Sequence, residues 1–404
     1  MASAAWGRIT HKLEATERRV ASLEWEPERR NSFVPYTAER DTAYVDLEGR
    51  RLLMMSGYSY LGLAGDERVV AAAQAAAARY GTGNHGVRAL AGSIPLHEEL
   101  EAEVATVAER ERAIVFGSGY AANVGTIGAL VGPGDTVFVD KYAHASIVDG
   151  CRLSGATVVR FRHNDTEHLA RRMEAAAPGG VRLVIVDSVY SMDGDIAPLP
   201  RLREVCDAHE ALLMTDEAHA LGVIGRTGLG IEEHFDGRVR VDVKLGTLSK
   251  AIPSMGGWVA GSAQLIGHLR YAARPFLFSA ALAPASAGAA LEALRVLRAE
   301  PERVARIQAH GARFRELVTA GGMRTGDSET AVVPLIAGGD EAAYDLATAA
   351  RRLGVIGLPV VTPAVPRDLA RLRIAVTARH TDADVELAAE AFLKAAGECG
   401  LLTD

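Results

Sequence analysis

From residue 45 to about 290 the chain alternates short apolar runs with longer helix-forming stretches, and this alternation constrains its fold more than any other feature. It is the signature of an α/β layer built on a largely parallel sheet, because parallel neighbours need a crossover between them. Ala113 to Phe116, Thr136 to Val139, Thr157 to Phe161, Leu183 to Val186 and Leu212 to Thr215 each read as a short buried strand, spaced so that a helix fits between most of them. The stretch from Glu67 to Tyr80, rich in alanine, reads as a helix that stops at Gly81.

Beyond about residue 295 the rhythm changes. One long helix is expected over Arg295 to Ala320, then strands at Val332 to Ile336 and Leu372 to Val376, and a closing helix near Asp382 to Ala396. The expected organisation is therefore an arm over residues 1–45 with an amphipathic helix at roughly Trp6 to Leu23, a large domain over 46–294, and a smaller α+β domain over 295–404. A chain of 404 residues with 49% hydrophobic content has ample material for such a core.

A formal charge of -7, with basic residues scattered rather than gathered into a stripe, argues against a nucleic-acid partner. Cys151, Cys206 and Cys399 lie far apart without paired spacing, so no metal or disulfide framework is expected and a reducing, cytoplasmic setting is. The segment Met1 to Glu24 lacks an apolar signal core, and no stretch reaches the ~18 apolar residues of a membrane span.

Chemistry gathers where the expected strands end. Lys250 is one of only five lysines and sits in Gly246-Thr-Leu-Ser-Lys250, between an apolar run and a glycine-rich bend. A solvated loop lysine is the plain alternative. Upstream, Leu212-Leu-Met-Thr-Asp216-Glu-Ala-His219 runs an apolar strand into a carboxylate and an imidazole, at the end of the sheet where open α/β folds place ligands. Singly, Asp216 reads as a turn cap and His219 as a packed histidine. Together with a strand-end lysine they match what pyridoxal phosphate requires. A lysine forms the Schiff base, and an aspartate keeps the pyridine nitrogen protonated so that the ring can act as an electron sink; His219 is placed to meet the phenolic oxygen. Phe116-Gly-Ser-Gly119-Tyr120 supplies the strand, glycines and helix start that favour a phosphate. His144, after another strand, could stack on a flat ring or simply close its turn. The turn Ser191-Met-Asp193-Gly-Asp195 reads either as an acidic loop or as a cofactor wall, and its spacing does not fit a calcium loop.

These segments, with Gly81-Thr-Gly-Asn-His-Gly-Val87-Arg-Ala-Leu-Ala-Gly and His144-Ala-Ser146, resemble the α-oxoamine synthases in order from about Tyr60 to Thr377. The resemblance implies a fold type I pyridoxal phosphate transferase, mostly parallel in its large domain. It also implies decarboxylative condensation of a small amino acid (glycine, alanine or serine) with an acyl thioester, carried by coenzyme A or by an acyl carrier protein, to an α-amino ketone. An aminotransferase or an aldolase of the same fold is the alternative. By the same resemblance Lys250 carries the cofactor and moves the proton, Asp216 and His219 hold its ring, and His144 stacks on it. Gly119 and Tyr120 line the phosphate end, Ser191 and Thr247 add hydrogen bonds, and Arg373, in Arg371-Leu-Arg373, grips the amino-acid carboxylate. A homodimer with shared sites is implied as well. Two positions depart from the family, Tyr58 where an asparagine is usual and Ala364 where one branch has a threonine, while Val87-Arg88 resembles the glycine-using branch more than the serine-containing segment of the alanine and serine users. Tyr58 and Val87 are therefore candidate substrate contacts, and Val87 favours glycine.

Overall fold

The apolar runs pair into a seven-stranded sheet at the centre of the computed structural model, which describes residues 4–23, 29, 31, 34–37 and 43–402. The arm begins with helix α1 (Ala4–Leu23), as expected, while much of the arm beyond it lies outside the described residues. Trp6, Ile9 and Leu13 on α1 remain about half exposed. Strands β1 (Tyr44–Leu47) and β2 (Arg50–Met54) form a hairpin whose two turn residues, Glu48 and Gly49, both have positive φ. That is the mirror-image turn whose twist matches the strands it joins. Helix α2 (Glu67–Tyr80) starts where the Asp66 carboxylate accepts the Arg68 N–H and stops at Gly81, and α3 (Pro95–Ala108) opens on a proline.

The alternating region follows in the expected order: β3 (Arg112–Phe116), α4 (Gly119–Leu130), β4 (Thr136–Asp140), α5 (Ala145–Ser154), β5 (Thr157–Phe161), α6 (Thr166–Glu174), β6 (Arg182–Asp187), α7 (Leu199–Ala208), β7 (Leu212–Asp216), α8 (Ile231–His234), β8 (Val243–Ser249), β9 (Pro253–Gly261), α9 (Ala263–Ala272) and α10 (Arg274–Leu277). The strand order is β3-β9-β8-β7-β6-β4-β5, with β9 antiparallel to both neighbours and the pairs from β8 to β5 parallel. Alternate side chains divide between two cores. Ile114, Ile185, Met214 and Leu245 pack with Ile127 of α4, Ile147 of α5 and Ile266 of α9, whereas Val115, Val184 and Leu213 face the larger core on the other side.

The helix expected over Arg295 to Ala320 is instead two, α11 (Pro284–Ala299) and α12 (Glu302–Ala320). Pro301 breaks it. A proline bars the residue before it from helical geometry, and Glu300 accordingly has φ -126 and ψ 62. Then come β10 (Val332–Gly338), α13 (Asp340–Arg352), β11 (Val355–Ile356), β12 (Leu358–Val360), β13 (Ala370–Ala375) and α14 (Asp382–Glu398). β10, β13 and β12 form an antiparallel sheet, and β11 runs parallel to β2, so the 44–54 hairpin is hydrogen-bonded to the C-terminal part of the chain. No helix among the described residues is long and apolar enough to cross a membrane.

Candidate active site

Parallel register sets three carboxylates side by side at the carboxyl edge of the sheet. Asp140, Asp187 and Asp216 end β4, β6 and β7, with Asp187 opposite Asp216, and Lys250 follows β8 on the next strand. Burial, reinforced by the Arg373 guanidinium and opposed by Asp216 and Asp187, pulls the Lys250 ammonium down to about 8. Among the described residues its Nζ has no ion-pair or hydrogen-bond partner, and the Tyr58 ring centre lies 5.8 Å from it. Asp216 is fixed from both sides. Asn123 Nδ2 donates to one carboxylate oxygen at 2.8 Å, and the Ala218 N–H donates to the other at 2.9 Å. Burial and the neighbouring Asp216 push the Asp187 carboxyl well above the usual carboxylate range, while it accepts the His144 N–H at 3.0 Å.

Both imidazoles are held neutral, each in a defined tautomer. Tyr60 receives a hydrogen bond from Arg373 Nη2 at 2.8 Å and so donates its own proton to His219 Nδ1 at 2.7 Å. His219 therefore carries its proton on Nε2. Burial, then Lys250, Arg373 and His144, drive its pKa well below the ordinary histidine value. Ser146 Oγ accepts from Asn123 Nδ2 at 2.9 Å and lies 2.7 Å from His144 Nδ1, so it gives its proton to that nitrogen. Burial lowers the pKa of His144 as well, aided by Lys250 and opposed by Asp216.

The two arginines of β13 differ sharply. Arg371 is paired with Asp193 at 2.6 Å and also donates to the carbonyls of Met192 and Leu369. Arg373, only 5% exposed, donates to the Ser191 carbonyl at 2.5 Å and to Tyr60, but meets no carboxylate among the described residues. Its guanidinium carbon lies 5.0 Å from the centre of the Tyr58 ring, so that ring has Arg373 and Lys250 as neighbours.

Helix α4 points its N-terminus at the same region. Ser118 caps it by accepting the Ala121 N–H, and the amides of Gly119 and Tyr120 have no partner among the described residues. Glycine is required here by close approach. A Cβ on Gly119 would stand 3.0 Å from Thr247 Cβ, and one on Gly257 only 2.4 Å from the Ser118 carbonyl oxygen. Thr247 Oγ1 bonds to Ser249 Oγ at 2.8 Å and to the Gly256 carbonyl at 3.0 Å. These groups fit pyridoxal phosphate. An amine without a counter-ion, a buried carboxylate with free lone pairs, an N–H on His219 and open amides at a helix start match its aldehyde, ring nitrogen, phenolic oxygen and phosphate in turn. The buried, unpartnered Oδ1 of Asn123 adds an acceptor beside them.

Of the residues expected from sequence, Lys250, Asp216, His219, His144, Arg373 and Tyr58 come together through these contacts, with Gly119 and Thr247 packed against each other beside them. Ser191 presents its carbonyl to Arg373. Tyr120 turns its hydroxyl to Asp149 on α5, leaving its backbone at the helix start. Val87 lies in the loop before α3, bridged to Ala280 and accepting the amides of Leu90 and Gly92. Sequence reasoning missed Tyr60, Asn123, Asp187 and His163. Beside the cluster, a cavity of about 530 Å³ opens between Tyr142, Ser191, Thr362, Ala364 and Arg367.

Residues 51–392 match the family of class I and II aminotransferases. The chain is 43% identical to 8-amino-7-oxononanoate synthase of Symbiobacterium thermophilum over 357 residues, covering 88% of this chain and 91% of the relative. It is 36% identical to serine palmitoyltransferase of Sphingobacterium spiritivorum over 362 residues, 90% of each. Its fold superimposes on serine palmitoyltransferase from S. paucimobilis, solved with a bound PLP-myriocin aldimine, with a TM-score of 0.91 at 30% identity over 96% of this chain and 99% of that one.

Proposed function

The chain belongs to the aminotransferase class I and II family and, within it, to the α-oxoamine synthases, pyridoxal phosphate enzymes that condense an amino acid with an acyl thioester; on that premise we propose which of its residues carry the reaction and which substrates it takes. Bound pyridoxal phosphate supplies the electron sink that acidifies the α-carbon of the amino acid and holds the charge left as carbon dioxide departs. Lys250 holds the cofactor covalently through Nζ. Asp216 would hold its ring nitrogen, His144 its ring face and His219 Nε2–H its phenolic oxygen, while the amides of Gly119 and Tyr120, with Thr247, would take the phosphate. Ser191 lies at the rim. With its amine free, Lys250 would accept the α-proton at Nζ, a task suited to a group whose pKa is lowered to about 8 by burial. Arg373 grips the substrate carboxylate with a two-pronged hydrogen bond.

The observation that carries this reading is a pair of largely buried cations, Lys250 and Arg373, that both neighbour the Tyr58 ring and have no ion-pair partner among the described residues. A buried guanidinium is costly unless something pairs with it, and an amino-acid carboxylate is the right shape. The amino acid is small (glycine, alanine or serine), since the Tyr58 ring occupies the space beside both cations. Its partner is an acyl thioester of coenzyme A or of an acyl carrier protein, and the products are an α-amino ketone, carbon dioxide and the free thiol.

The arm at residues 1–45, a large domain and a small C-terminal domain remain the working division, with the 44–54 hairpin assigned to the small domain through its pairing with β11. A homodimer is supported by apolar side chains left in the open, among them Leu90, Tyr271 and Phe278 at 84, 85 and 72% exposure. Val87 would then serve the partner's site. Free thiols at Cys151, Cys206 and Cys399 support a reducing, cytoplasmic setting.

The test is a panel of glycine, alanine and serine, each read by the change in cofactor absorption, followed by coenzyme A and carrier-protein thioesters of varied chain length with release of carbon dioxide and thiol as the readout. One amino acid should be preferred and consumed with the thioester. Exchange with α-keto acids and no thioester consumption would assign the chain to the aminotransferases instead.

A further inference from the structure

His163 stands just past β5, outside the cofactor cluster, yet it is bonded to two of the loops that build the site. Its Nδ1 lies 3.0 Å from Asp140 Oδ1 and its Nε2 lies 2.8 Å from Asp195 Oδ2. Both ring nitrogens face carboxylate oxygens, so both must donate and the ring is an imidazolium. Tyr142 packs against it at 4.6 Å with the rings tilted by 36°, and Tyr190 meets it edge-on at 4.4 Å. Asn164 binds the same two carboxylates, through its N–H to Asp140 at 2.9 Å and its side-chain amide to Asp195 at 2.7 Å.

The two ends of this clamp lead to different parts of the site. Asp140 also accepts the Tyr142 N–H at 2.8 Å and so shapes the loop that delivers His144. Asp195 closes the turn that begins at Ser191, its carbonyl accepting the Tyr190 N–H at 3.1 Å. That turn gives its Ser191 carbonyl to Arg373 and its Met192 carbonyl to Arg371. We propose that His163 is a positioning residue, whose ion pairs to Asp140 and Asp195 fix the Ser191 turn against the His144 loop and thereby set the direction in which Arg373 presents itself to the substrate carboxylate. The proposal rests on the assignment of Arg373 to that carboxylate. Burial alone would lower the pKa of His163, but the two carboxylates outweigh it and hold it up to about 10, so the clamp stays closed across the physiological range.

The experiment uses the full chain loaded with pyridoxal phosphate and whichever of glycine, L-alanine or L-serine the parent protein binds, with Kd read from the cofactor's absorption. His163→Gln keeps about the size and one donating end but removes the charge and the second donor. Its amino-acid Kd should rise about tenfold, the loss expected when a charge-assisted bond behind a binding group is weakened, while the Kd for pyridoxal phosphate changes less than about twofold. In an Arg373→Lys background the same change should add less than about twofold, because the clamp acts through Arg373. An unchanged amino-acid Kd in folded His163→Gln overturns the proposal, as does an equal effect in the Arg373→Lys background or a matching loss of cofactor affinity. If His163→Gln does not fold, Asp195→Asn is read by the same criteria. If Arg373→Lys alone leaves the amino-acid Kd unchanged, the assignment of Arg373 fails; if it weakens binding and His163→Gln does not, only the clamp fails.

Discussion

Two lysines share one strand and meet opposite fates. Lys244, inside β8, is buried with its Nζ 3.7 Å from Glu232 and donating to the Leu229 carbonyl at 3.3 Å. Around it every charge is answered. Glu232 also takes Arg110, Arg240 and the Val241 N–H, while Glu217, the residue after Asp216, accepts from Ser188, Thr215 and the Ile231 N–H. Lys250, one residue past the end of the same strand, has no such partner among the described residues. Where charges are saturated, the network is structure; where a chain folds with buried charges unanswered, the missing partner is the ligand.

The largest effect that tests this contrast is on turnover. Lys250→Ala should cut condensation by about 10^4-fold or more, since it removes both the covalent anchor and the base, and borohydride should no longer trap the cofactor on the protein. A trapped adduct of parental yield would move the anchor elsewhere. The second effect is on stability. Lys244→Met should destabilise the fold by about 1–3 kcal/mol in denaturant titration, because Glu232 keeps Arg110 and Arg240 but the buried Leu229 carbonyl loses its donor. An equal loss in Lys250→Met would erase the distinction between the two lysines.

Lys250→Met should instead stabilise the cofactor-free protein. The folded-state pKa of Lys250 lies at about 8 against an ordinary 10.5, so burying the ammonium costs stability at all pH values below about 8. That cost fades as pH rises from about 8 to 10.5, where the unfolded lysine also loses its proton. The gain in Lys250→Met is therefore expected to be on the order of 1–2 kcal/mol at pH 7, discounted for partial exposure, and to vanish near pH 10.5. Melting curves across that range give the sign directly.

The same contrast explains what was legible in the sequence. Lys250, Asp216 and His144 could be picked out because each follows an apolar run, and strand ends are where an α/β sheet collects its ligands. Their partners could not. Tyr60 reaches His219 across 159 residues and Arg373 across 313, and Asn123 reaches Asp216 across 93. Such pairs depend on sheet order and on how the C-terminal part folds back, neither of which local periodicity encodes. Asp187 looked like an ordinary strand end until register set it opposite Asp216. His163 sits in a stretch that reads as a polar turn. The break at Pro301 lies between strong helix formers, and helical propensity over Arg295 to Ala320 does not register it.

The smallest test concerns the Tyr58 ring beside the two cations. The Tyr58 hydroxyl has no hydrogen-bond partner among the described residues, whereas its ring lies 5.0 Å from the Arg373 guanidinium and 5.8 Å from Lys250 Nζ. If the ring matters and the hydroxyl does not, Tyr58→Phe should leave the amino-acid Kd within about twofold of the parent, while Tyr58→Asn loses a cation–π contact of about 0.5–1 kcal/mol, roughly two- to fivefold in binding. Removing the ring also opens space beside Arg373. Serine or a larger amino acid should therefore gain on glycine in Tyr58→Asn, within the ~10 to 200-fold range that an apolar wall can discriminate. A Tyr58→Phe variant that weakens binding as much as Tyr58→Asn would place the phenol oxygen, rather than the ring, against the substrate and make Tyr58 a polar contact of the carboxylate alongside Arg373.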